Sequence, residues 1–126
     1  MSFPKTISKK ILIVINEENV REHLKTILSD HYDLIVTEQG DQALDILNYS
    51  KGIKLIFMDV NASRNNGLET IKKIQTKHPT IKVIILTDHR SVEIAQEAVR
   101  LGAKGYIVKP LKSDQILSWA NNAMSA

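Results

Sequence analysis

Five short runs rich in Ile, Leu and Val alternate along the chain with five stretches whose apolar side chains recur every three or four residues. The runs lie at about residues 11–15, 32–37, 53–58, 81–86 and 105–108. They lack the strict polar alternation of a strand with one wet face, so they suit parallel strands covered on both sides. Between them, Val20, Leu24, Ile27 and Leu28 fall on one helix face, as do Ala43, Leu44 and Leu47, and then Leu68, Ile71 and Ile74. Val92, Ala95, Ala98 and Val99 make a fourth stripe, and Ile116, Leu117, Ala120 and Met124 a fifth. Ser91 and Ser113 are placed to cap helix starts, Gly102 to take a left-handed position after the fourth helix, and Pro79 to end the third. Repeated βα units of this kind predict an α/β fold with a parallel sheet and right-handed crossovers.

Three of the predicted strands run into a single polar residue: Asp59 after Phe57-Met58, Thr87 after Ile85-Leu86, and Lys109 after Ile107-Val108. If the strands are parallel, a carboxylate, a hydroxyl and an ammonium share one sheet edge, which is where open α/β sheets place their sites. Taken singly, each residue has a plain structural explanation: a loop aspartate, a good strand residue, a solvated lysine. Together they form what a phosphoryl acceptor needs, a nucleophilic carboxylate beside a hydrogen-bond donor and a fixed cation.

Composition narrows the class without choosing a function. At 126 residues the chain fits one domain. With no cysteine it has no disulfide or thiolate chemistry, and it shows no membrane-spanning stretch or signal peptide, which makes a cytoplasmic location the expectation. The net charge of +3 comes from 17 basic and 14 acidic residues, with lysines scattered along the chain instead of forming a stripe. With few aromatics beside them, direct nucleic-acid binding is not expected.

The order and spacing of Asp59, Thr87 and Lys109-Pro110, together with Gly67, Gly102-Ala103 and Tyr106, resemble the receiver domain of two-component response regulators. The resemblance covers residues 10–126 and leaves 1–9 as an N-terminal extension. It implies a flavodoxin-like, doubly wound, five-stranded sheet in the order 2-1-3-4-5 with five helices. It also implies that Asp59 is the phosphoacceptor, that Lys109 is the phosphate cation, and that Thr87 with Tyr106 is the switch. The phosphoryl donor would be a sensor histidine kinase or a histidine phosphotransfer protein. A downstream protein would read the face of helix 4, strand 5 and helix 5, which presents Arg90, Glu93, Glu97, Arg100, Lys104, Tyr106 and Lys112. As in the family, the bond before Pro110 is expected to be cis, turning Lys109 inward.

The chain departs from the family pattern where receivers carry two adjacent acidic residues after the first strand, for here stand Ile15 and Asn16. The family uses magnesium (Mg2+), which prefers hard oxygen ligands. The remaining ligand set is Asp59, Asn16 and the backbone carbonyl of Asn61, so binding is expected to be weakened. Glu17 or Asp88 are further sources of negative charge, although both also suit the start of a helix. Ser63 stands where receivers usually have Pro, and the Asn61 and His89 side chains would border the pocket.

The reading is therefore a phosphorylation-controlled interaction module, not an enzyme in its own right. Its alternative is a degenerate receiver that binds a partner constitutively. A flavin or nucleotide enzyme on the same architecture is disfavoured, because Asn16-Glu17-Glu18-Asn19 replaces any glycine-rich phosphate loop.

Overall fold

Each apolar run forms a strand: β1 (Lys10–Val14), β2 (Asp33–Thr37), β3 (Ile53–Asp59), β4 (Lys82–Thr87) and β5 (Gly105–Val108). The helices alternate with them as α1 (Glu18–Leu28), α2 (Asp41–Tyr49), α3 (Leu68–Lys77), α4 (Val92–Arg100) and α5 (Ser113–Ser125), and the short 3-10 turn His89–Ser91 leads into α4. This computed structural model describes residues 9–62 and 67–125, so nearly all of the expected N-terminal extension and the Ser63 position lie outside the described residues. All the strand pairs are parallel, in the order β2-β1-β3-β4-β5.

Strand limits differ from the predicted ones by single residues, for local reasons. Tyr32 does not open β2, because its N–H donates to the Leu28 carbonyl in the turn that ends α1. Ile81 likewise closes a turn onto the His78 carbonyl, and β4 begins one residue later. At the other end β3 gains Asp59, which pairs in register with Leu86.

Alternation along the strands divides the apolar side chains between two cores, one on each face of the sheet. Leu12, Val14, Ile56, Met58, Val83 and Ile85 pack against α2, α3 and α4. Ile11, Ile13, Leu55, Phe57, Ile84 and Leu86 pack against α1 and α5. Ile15 continues the second series and is fully buried in it.

Three glycines among the described residues have backbone angles that an L side chain rarely adopts, and Gly52, just before β3, is one of them at φ 91. Gly67 opens α3 at φ 74, and Gly102 follows α4 at φ 125. Gly102 makes the turn in which the Ala103 N–H reaches back to the Ala98 carbonyl, a helix ending that favours glycine at this step.

Candidate functional site

The register places the three predicted polar residues side by side. Asp59 pairs with Leu86, Thr87 with Val108, and the Lys109 N–H continues the ladder to the Thr87 carbonyl at 2.7 Å. Asp59 shares its strand face with Phe57, and Lys109 shares its own with Ile107, so both belong to the α1/α5 side of the sheet. Their strands are two spacings apart, about 9.5 Å. The long lysine side chain closes that gap, and its Nζ lies 2.5 Å from Asp59 Oδ2.

Asp59 is only 3% exposed, so its charge must be compensated within the protein. One oxygen meets the Lys109 ammonium, and the other accepts the Asn61 N–H at 3.0 Å. Glu17 Oε2 stands on the outer side of Lys109, 4.0 Å from Nζ, and is largely solvated. The ammonium therefore lies between a buried carboxylate and an exposed one, with the tighter contact to the buried one. The Lys109-Pro110 bond is cis.

Thr87 is fully buried, and its side chain belongs to the opposite face, that of Val83 and Ile85. Its hydroxyl donates to the Asp88 carbonyl at 2.9 Å and is not directed to Asp59 by any hydrogen bond. Tyr106 pairs in register with Ile85 and is half-buried against the same core, one step from Thr87 on that face. Its Oη accepts a long hydrogen bond, 3.4 Å, from Gln96 of α4. Thr87 is thus joined to the residue that caps the turn before α4, and Tyr106 to the middle of that helix. Gln96 had no signal in the sequence beyond its place on the exposed side of α4.

Asp88 has a definite occupation. Its Oδ1 accepts the N–H groups of Arg90 and Ser91 at 2.9 and 3.1 Å, capping the turn that precedes α4. Ser91, the cap predicted for α4, makes no side-chain cap bond, and its own N–H is one of the two that Asp88 holds. At the other candidate position, Glu17 occupies the N-cap of α1 without a side-chain cap bond.

The donors present do not compose a magnesium cage. Position 15 offers a buried hydrocarbon, Asp59 is engaged by an ammonium and an amide, and Asp88 Oδ1 is committed to two backbone N–H groups. No cluster of three His, Cys, Asp or Glu side chains suited to a metal occurs among the described residues. Where the acidic pair would stand, Arg21 donates instead to the carbonyls of Ile15 and Asn16 at 3.2 and 3.0 Å, and pairs with Glu38 at 3.4 Å. Asn16 itself is exposed.

Of the residues expected to form a partner face, Arg90, Glu93, Arg100, Lys104 and Lys112 are exposed on and beside α4 and β5 and just before α5. Arg100 and Glu97 pair with each other at 2.9 Å. No helix among the described residues is long and apolar enough to cross a membrane.

Comparison with known proteins agrees with this architecture. The crystal structure of the receiver domain of NtrX from Brucella abortus superposes with a TM-score of 0.83 at 32% identity, covering 92% of this chain and 98% of that one. Protein CcdB of Bacillus subtilis (strain 168) is 32% identical over 91% of this chain and 97% of its own length. A putative NtrX-like response regulator of Rickettsia bellii (strain RML369-C) is 33% identical over 85% of this chain. This chain spans only 23% of that relative, and 24% of the alginate biosynthesis transcriptional regulatory protein AlgB of Pseudomonas syringae. The family model for the response regulator receiver domain matches residues 11–121, and the chain belongs to that family of signalling domains.

Proposed function

We propose that Asp59 accepts a phosphoryl group from the phosphohistidine of a sensor kinase or a histidine phosphotransfer protein. The observation that carries this reading is the buried Asp59 carboxylate at the sheet edge with the Lys109 ammonium 2.5 Å away. In the transfer, a carboxylate oxygen attacks phosphorus, the P–N bond breaks, and its electron pair returns to the donor imidazole. The product is an acyl phosphate on Asp59. Lys109 supplies the positive charge for the equatorial oxygens and follows the anion from the carboxylate to the phosphoryl group.

Transmission follows from where the Thr87 hydroxyl now points. A phosphoryl oxygen offers it a charged acceptor in place of the Asp88 carbonyl, and charge-assisted hydrogen bonds are roughly twice as strong as neutral ones. Turning away from Asp88 releases the residue that caps the entry to α4, and Tyr106 on the same face repacks. The surface of α4, β5 and α5 then changes for a downstream protein partner, a two-state element biased by local charge. On this reading the domain works in the cytoplasm and reaches any nucleic acid only through that partner.

Magnesium, which receivers use at this pocket, binds here weakly, because the first-strand carboxylates are absent and Asp88 is occupied. The same absence supports a second reading, a receiver that binds its partner constitutively. One experiment separates them. Acetyl phosphate or a kinase should add the mass of one phosphoryl group to the native chain and none to Asp59→Asn. Labelling that survives the substitution sinks the assignment of Asp59, and a native chain that takes no label under either donor favours the constitutive module.

A further inference from the structure

At the end of the sheet opposite Asp59, the loops that lead into β3 and β4 enclose a depression of about 370 Å3. Its rim carries Lys51, Lys54 and Lys77, with the His78 ring beside them, and no acidic residue lines it. These lysines are far apart in the sequence but adjacent here, because parallel strands all begin at one rim and α3 ends there. All three are exposed, and their side chains take part in no ion pair or hydrogen bond among the described residues.

His78 Nε2 is buried with no hydrogen-bond partner. Leaving a buried polar atom unpaired is unfavourable, so a rotation that brings the nitrogen outward to an acceptor is favoured when one is present. Beneath the charged rim lie Leu47, Ile53 and Ile81, which are almost fully buried and form an apolar floor. The frame is fixed by the Gly52 carbonyl accepting from the Lys10 N–H at 3.0 Å, and by His78 N–H bonding to Ile74 and Ile81 N–H to His78.

We propose that this depression binds a small phosphate-bearing organic molecule, a phosphomonoester of a nucleoside or sugar. Three point charges that turn freely suit a phosphate dianion. The volume lies within the range of small-ligand sites and exceeds what a bare phosphate fills, and the apolar floor accepts the organic part. The site is separate from Asp59 and does not depend on its phosphorylation.

The test is an amide-shift titration of the native chain with adenosine monophosphate, with inorganic phosphate and with adenosine. Adenosine monophosphate should give saturable shifts at Gly52, Lys54, Lys77 and His78, inorganic phosphate weaker ones, and adenosine none that saturate. The double variant Lys54→Gln with Lys77→Gln, which alters only exposed side chains, should bind at least about tenfold more weakly, a loss of about 1.4 kcal/mol. Asp59→Asn should bind as the native chain does. The proposal is overturned if adenosine monophosphate produces no saturable shifts, if adenosine matches it, or if the double variant binds unchanged.

Discussion

At Asp59 the two carboxylate oxygens have different partners, an ammonium at 2.5 Å and a backbone amide at 3.0 Å, and neither partner supplies the negative charge that a divalent cation needs. Charge at positions 15 and 16 is therefore what limits a divalent cation. The double change Ile15→Asp with Asn16→Asp should tighten magnesium binding by about 10- to 100-fold in a calorimetric or amide-shift titration, the scale on which outer metal partners act. Unchanged affinity would show that Glu17 already supplies the missing charge. That Asp59 and Lys109 lie at one sheet edge was legible in the sequence, because a polar residue that ends an apolar run has its place set by the strand before it. Asp88 was not legible in this way. A carboxylate after a strand reads equally as ligand and as cap until the N–H groups of Arg90 and Ser91 are seen to hold it.

Among the elements, α4 depends most on a single side chain. Asp88→Ala removes both cap bonds at its entry and should cost about 1 kcal/mol, with the amides of Arg90 and Ser91 exchanging faster while the sheet stays protected. Equal protection of these amides in the native chain and in Asp88→Ala would place the cap elsewhere. A second prediction concerns the start of β2, where Tyr32 Oη donates to Asn121 of α5 at 2.5 Å and burial raises its phenol above the ordinary 10.0. Folding favours the protonated phenol, so its contribution is complete below about pH 10 and fades as the pH climbs through the raised value. Urea denaturation at rising alkaline pH should therefore show the native chain losing stability more steeply than Tyr32→Phe, and parallel curves would mean that the phenol titrates alike in both states. Element type was readable throughout from the change between strand and helix periodicity. The ends of β2 and β4 were not, because Tyr32 and Ile81 are apolar enough to continue a run but have N–H groups claimed by the preceding turn.

For the molecule as a whole, two cores on opposite faces of one sheet hold the site edge in place. Phe57, fully buried on the strand that carries Asp59, is a shared support, and Phe57→Ala should lower unfolding free energy by about 3–5 kcal/mol in chemical denaturation. Alternating elements predicted the parallel sheet, whereas the strand order 2-1-3-4-5 came from resemblance, since periodicity says nothing about which strands are neighbours. The convergence of Lys51, Lys54 and Lys77 was hidden for the same reason, as lysines spread evenly in sequence meet only where the strands begin. On the proposed mechanism, a phosphoryl group on Asp59 is read at Tyr106 through Thr87. The most direct test of that mechanism is the amide spectrum with and without beryllofluoride as the phosphoryl mimic, in excess magnesium, for the native chain and Thr87→Ala. The native chain should shift at Asp59, Ser91, Lys104 and Tyr106, and Thr87→Ala should keep the shifts near Asp59 but lose those at Lys104 and Tyr106. Native shifts confined to Asp59 and its neighbours, or a Thr87→Ala spectrum that moves at Tyr106 as the native one does, would contradict the mechanism.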